Sequence, residues 1–158
     1  MSTIKVEEIQ HPSNSNNAVS IASDSSVSLK HSGSAKLATT ATGITATGGT
    51  FTGSVVFEDA INENVFAITD ASSVALDPDN GMVQTWTLGA NRTATDSLTT
   101  GQSMLLIVTA SGSSYTMTWP TMTWVGGSAP TLGGATPTAI ELFKVGTTLY
   151  GATVGDLG

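Results

Sequence analysis

Large apolar side chains are spread so unevenly along this chain that their distribution decides what its two ends can become. No aromatic residue precedes Phe51, and the three tryptophans and both tyrosines follow Gly81. In the first fifty residues the large aliphatics are Ile4, Val6, Ile9, Val19, Ile21, Val27, Leu29, Leu37 and Ile44. Fixing a residue costs about 1–2 kcal/mol of backbone entropy, and burying one such side chain returns about 1.5–3 kcal/mol. These few side chains therefore cannot order so long a segment within one copy. The segment is either disordered or completed by other chains. Disorder usually accompanies high charge and low hydropathy, whereas Asp, Glu, Lys and Arg make up only 11% of this chain and its mean hydropathy is +0.14. An obligate oligomer is the expectation.

Charge narrows the partners. Five basic residues against twelve acidic ones, a net charge of -7, leave no electrostatic footprint for phosphate backbones or anionic lipid. Nucleic-acid binding is not expected. The longest apolar run, 104–108, falls far below the roughly 20 residues a membrane helix needs, and no apolar stretch follows Lys5 as in a secretory signal. No membrane insertion is expected. With no cysteine, disulfides and thiolate metal sites are excluded.

Alternation points to strands. Val19, Ile21, Ser23, Ser25, Val27 and Leu29 share one parity, apolar at the ends and small in the middle. From residue 38, Thr-Gly punctuation around Ile44, Phe51, Val55 and Phe57 suits short β-segments and tight turns, with no strict period to support an autonomous solenoid. Helical spacing is confined to 5–10 and 60–66, and 70–81 reads as a loop because Asp77-Pro-Asp-Asn-Gly81 stacks turn-formers. Beyond it, 82–88 alternates, and 102–109 is apolar enough to be buried on both faces. A hairpin is expected between that strand and 115–119, and another between 139–145 and 148–154 around Gly146-Thr147. The fold class predicted is all-β, an extended N-terminal segment followed by an antiparallel β-sandwich or small barrel. The predicted divisions are 1–37, 38–81 and 82–158.

No catalytic constellation is visible, and neither an enzyme nor a cofactor is expected. His11 and His31 lack acid/base partners and zinc spacing. Asp77-Pro-Asp-Asn-Gly81 departs from a calcium loop, since its glycine comes one position early and Leu88 stands where a bidentate Glu belongs. Asn91-Arg-Thr93 matches a short glycosylation sequon. Residues 82–158 instead combine Trp86, Trp119, Trp124, Tyr115 and Tyr150 with abundant Thr, Ser and Gly, a composition that stacks on sugar rings or fills a β-core. The strand positions of Trp86, Trp119 and Tyr150 favour the core. Trp124, beside Gly126-Gly127, is open to either role, and with Asn91, Arg92 and Asp96 it makes up the candidate receptor-binding set.

Several blocks carry a family resemblance. They are Gly101-Gln-Ser-Met-Leu-Leu-Ile-Val108, Thr118-Trp-Pro120, Trp124-Val-Gly-Gly-Ser-Ala-Pro-Thr-Leu132 and Ile140-Glu-Leu-Phe-Lys-Val-Gly-Thr-Thr-Leu-Tyr-Gly151. This set resembles the C-terminal domain of tail-fibre and appendage proteins of marine and cyanobacterial tailed phages. Ser2-Thr-Ile-Lys-Val-Glu-Glu-Ile-Gln-His-Pro-Ser13 and Ala18-Val-Ser-Ile-Ala-Ser-Asp-Ser-Ser-Val-Ser-Leu29 are similar to their N-terminal segments. The resemblance implies an intertwined homotrimer in the virion, with 1–37 anchored to other tail, baseplate or neck proteins, 38–81 as shaft, and 82–158 as the tip that attaches to the host surface, a surface glycan being the candidate receptor. Tail fibres of this kind usually have a longer shaft, so a head or neck fibre, a capsid decoration without receptor, or a stand-alone carbohydrate-binding module are the alternatives.

Overall fold

The computed structural model describes residues 7–10, 16–50, 52–111 and 114–158, and its strands are joined without any α-helix among them. Two compact units result, Met1–Glu58 and Asp59–Gly158. The division falls inside the stretch that the sequence marked as 38–81.

The first unit is a five-stranded antiparallel meander in chain order: β1 (Glu8–Gln10), β2 (Asn17–Ile21), β3 (Val27–His31), β4 (Ser34–Thr40) and β5 (Gly43–Ala46). The shared parity of Val19, Ile21, Val27 and Leu29 belongs to a hairpin, not to one long strand. Val19 stands opposite Leu29 and Ile21 opposite Val27, while the small residues between them make the turn, with Ser25 at φ 68°. Register then carries the apolar row across the sheet. Ile9 pairs with Val19, Val19 with Leu29, Leu29 with Leu37 and Leu37 with Ala46. The opposite face carries Glu8, Ser20, Ser28, Ala38 and Thr45 in the matching row. The region around 5–10, expected to show helical spacing, provides strand β1 in its described part; Lys5 and Val6 lie outside the described residues.

The second unit is all-β, but it is not the antiparallel sandwich the sequence suggested. Its strands are β6 (Val65–Ala67), β7 (Ser73–Leu76), β8 (Val83–Thr87), β9 (Arg92–Asp96), β10 (Ser103–Thr109), β11 (Met117–Thr118), β12 (Thr123–Trp124), β13 (Thr138–Val145) and β14 (Thr148–Asp156). A six-stranded mixed sheet runs β12-β14-β13-β10-β8-β6, and a three-stranded sheet runs β11-β9-β7. From β6 to β11 successive strands alternate between the two sheets, so neighbours within a sheet are parallel: β6 with β8, β8 with β10, β7 with β9, and β9 with β11. The chain winds like a short two-sided solenoid. Its coils are unequal in length, since Val65, Val83 and Leu105 align in register, and this inequality hides any sequence period.

Several local expectations change for the same reason. Residues 115–119 do not form a hairpin with β10; Met117 and Thr118 pair in parallel with Arg92 and Thr93 of the other sheet. β10 takes β13 and β8 as neighbours instead. It is buried on alternate positions, with Met104, Leu106 and Val108 fully inside and Leu105 and Ile107 half-buried on the outer face. The turn-rich run 70–81 contains strand β7 before the 3₁₀ helix Pro78–Asn80, and 60–66 forms no helix but leads into β6. The β13–β14 hairpin is as expected, turning at Gly146 with φ 61°. Leu76 and Ala94 from the small sheet meet Trp86, Leu106, Ile140 and Leu142 from the large one in a single buried cluster.

Candidate functional site

Two of the sequence candidates turn out to be clamps between the sheets of the second unit. Arg92 starts β9, and its guanidinium forms a two-pronged ion pair with the carboxylate of Asp70, with Nε donating to Oδ1 at 2.9 Å. Asp70 also accepts from Trp86 Nε1 at 2.9 Å and from the Gly89 backbone N–H at 3.1 Å. One carboxylate thus joins β8 of the large sheet to β9 of the small one. The hydrogen bonds from Arg92, then from Trp86 and Gly89, hold its pKa down to about 2 against the opposing effect of burial. Asp96, at the far end of β9, pairs with Lys144 of β13 and accepts from the Leu98 N–H at 2.9 Å. Both charges are paired with a partner of opposite sign within the second unit.

Asn91 works locally. Its Oδ1 accepts the Thr116 N–H at 3.0 Å, while the Arg92 N–H donates to the Thr116 carbonyl at 3.0 Å. Together they fix the backbone that carries Tyr115 and Met117. Trp124 is half-buried against the core, lies over Gly151 and meets Trp119 edge to face, with ring centroids 5.1 Å apart and planes at 82°. Its indole supports another tryptophan. Trp86 is fully buried, as the strand pattern predicted, whereas Tyr150 stacks on its cross-strand neighbour Phe143 at 5.1 Å. The four candidates therefore do not converge on one site.

An open groove lies beside them instead. About 370 Å³ in volume, it is lined by Tyr115, Met117 and Trp119 from the segment around β11 and by Pro130, Thr131 and Leu132 from the loop after β12, with Met117 buried and Tyr115, Trp119 and Leu132 half-buried against the core. Tyr115, Met117 and Trp119, which share one parity, line it together with Ser114 and Thr116 of the other. Pro130 and Leu132 arrive from the loop after β12 and gave no such signal. Of the other motifs, Asp77 caps the 3₁₀ helix by accepting from Asp79 N–H at 3.1 Å, and Asp79 accepts from Gln102 Nε2 at 3.1 Å, so this segment is a pinned turn. His31 ends β3, while His11 lies outside the described residues. Among the described residues no group of three or more His, Asp or Glu is placed to hold a metal ion, and no helix is long and apolar enough to cross a membrane.

Comparison with known proteins finds no family model, no curated sequence and no solved structure that matches this chain.

Proposed function

We propose that this chain is a non-enzymatic structural protein of a virion appendage, a tailed-phage fibre built from three copies. Residues 1–58 act as the assembly unit and 59–158 as the part displayed toward the host. The observation that carries the reading is the uncovered apolar face of the first sheet. Ile9, Leu29 and Ile44 are 52%, 46% and 69% exposed, although register lines them up with Val19, Ile21, Val27 and Leu37 on one side of a single-layer sheet. Five strands about 4.8 Å apart carrying two such rows present on the order of 300–400 Å². That is as large as the biggest apolar patch on a typical monomer, and such patches mark interaction surfaces. Val55, Val56 and Phe57, 45%, 79% and 65% exposed, add further uncovered apolar surface in the same unit.

Sister copies are the occupant that removes this surface from water, because the row from Ile9 to Ala46 carries no charge and the neighbouring row carries only Glu7, at its outer end beside Ile21, so most of the face is complementary to itself. Virion partners would then be held through 1–37, and attachment through the second unit would gain from several copies acting at once. A free carbohydrate-binding module with a formless leader is less well supported, since its leader would not need a five-stranded sheet. Sedimentation of the full chain in native buffer tests the reading. A trimer is expected, and a folded 16.0 kDa monomer would overturn it.

A further inference from the structure

We infer that the groove between Tyr115–Trp119 and Pro130–Leu132 binds a neutral sugar ring. The inference rests on reading the second unit as the displayed one and names the ligand class it takes there. Four observations carry it. The groove's volume, about 370 Å³, lies within the ~300–1,000 Å³ range of small-molecule clefts. Its walls pair two aromatic side chains with a proline, flat apolar surfaces that suit the C–H faces of a pyranose. Exposed Ser114, Thr116 and Thr131 stand along the same groove, where the ring's hydroxyl edge needs donors and acceptors.

Charge supplies the fourth. Among the described residues no Asp, Glu, Lys or Arg lines the groove, and the nearby Arg92 guanidinium is already committed to Asp70. A sulfated, phosphorylated or carboxylated ligand would be desolvated here without a counter-charge, which disfavours it. The walls are also held in advance. Trp119 is braced by Trp124, and the backbone at Thr116 is tied on both its N–H and its carbonyl to Asn91 and Arg92. Little ordering cost remains to be met when a ligand enters. Asn91, Arg92 and Trp124 thus act as positioning residues one step behind the contact surface.

The test uses the full chain and saturation-transfer NMR at millimolar ligand. The probes are maltose, cellobiose, lactose and diacetylchitobiose, with sialyllactose and a sulfated heparin disaccharide as charged counterparts. At least one neutral disaccharide is expected to bind, with Tyr115→Ala weakening it about tenfold or more, the scale of one lost stacking contact of about 1.4 kcal/mol. Thr131→Trp, which fills the groove from an exposed position and leaves the core intact, should abolish binding. A panel on which no neutral sugar binds, a preference for the charged ones, or binding that survives both variants overturns the inference. Sedimentation of the same samples separates the two claims: a trimer that ignores sugars defeats the groove alone, and a monomer that binds them defeats the fibre reading alone.

Discussion

A Cβ atom added at Gly151 would lie 2.8 Å from Cζ3 of Trp124 and 2.9 Å from Sδ of Met122, closer than real side chains approach one another. The indole occupies the space a side chain would need on β14, and Trp119 rests against that indole in turn. Gly151→Ala is therefore expected to push Trp124 outward and cost about 1–3 kcal/mol, as overpacking does. The edge-to-face pair should lose its near-ultraviolet circular dichroism and the tryptophan emission should shift to the red, although Trp86 stays buried. An unchanged melting temperature and spectrum would contradict the seating of Trp124 on this glycine.

On the first sheet, Leu29 and Leu37 stand opposite one another in β3 and β4, 46% and 36% exposed. In an isolated copy, replacing such residues changes stability by no more than about 0.5 kcal/mol. If sister copies cover them, each replacement forfeits about 1.5–3 kcal/mol of burial per chain. Leu29→Asn is expected to lower the melting temperature and to shift sedimentation toward smaller species, whereas Thr45→Asn on the opposite face leaves both unchanged. Equal behaviour of the two variants would mean that the apolar row is not an assembly surface.

Acid should weaken the clamp at Asp70. Its pKa is lowered from 3.8 to about 2 in the folded protein by Arg92, Trp86 and Gly89, so the unfolded chain takes up this proton first. The stabilisation is complete above 3.8 and is lost as the pH falls toward 2 and below. Asp70→Asn should lower the melting temperature at neutral pH and flatten its decline over that acid range. Glu141 acts with the opposite sign, since burial and the nearby Glu63 raise its pKa above 4.5, and ionising it costs the folded state stability as the pH rises. Glu141→Gln is expected to raise the melting temperature at neutral pH. Melting curves of the three proteins against pH check both signs.

What the sequence made legible follows from how far apart the interacting residues lie along the chain. The β13–β14 hairpin could be read because alternation and Gly146 sit within one short stretch. Trp86 and Leu88 could be placed in the core from the parity of 82–88. The parallel pairing of Met117 with Arg92 could not, because it depends on loops that carry the chain to the opposite sheet, and no local pattern encodes that. The same distance hid the partners of the charged candidates. Arg92 and Asp96 read as free polar residues until the fold set Asp70 and Lys144 beside them. Half of the groove was visible in the shared parity of Tyr115, Met117 and Trp119, and the other half depended on where Pro130 returns.

Gln84 shows how a position can be readable while its purpose is not. Parity puts it on the core face of β8 with Trp86, and it is 1% exposed. Its Nε2 donates to the carbonyls of Asp77, at 2.6 Å, and Gly81, at 2.9 Å, closing the turn that contains the 3₁₀ helix. Gln84→Leu matches its size but leaves those two carbonyls without that donor, at about 1–3 kcal/mol for each one that water cannot reach. Gln84→Glu should be worse at neutral pH, since a carboxylate would face two carbonyl oxygens in a buried site and its folded pKa would be pushed up. The stability of that variant is lost as the pH rises through the raised pKa and partly returns on acidification, when the protonated acid can donate one hydrogen bond. The gap in melting temperature between Gln84→Glu and the unaltered chain is therefore expected to narrow toward acid, while the gap for Gln84→Leu stays constant. Two gaps that move in parallel with pH would show that the side-chain amide is not the donor that holds the turn.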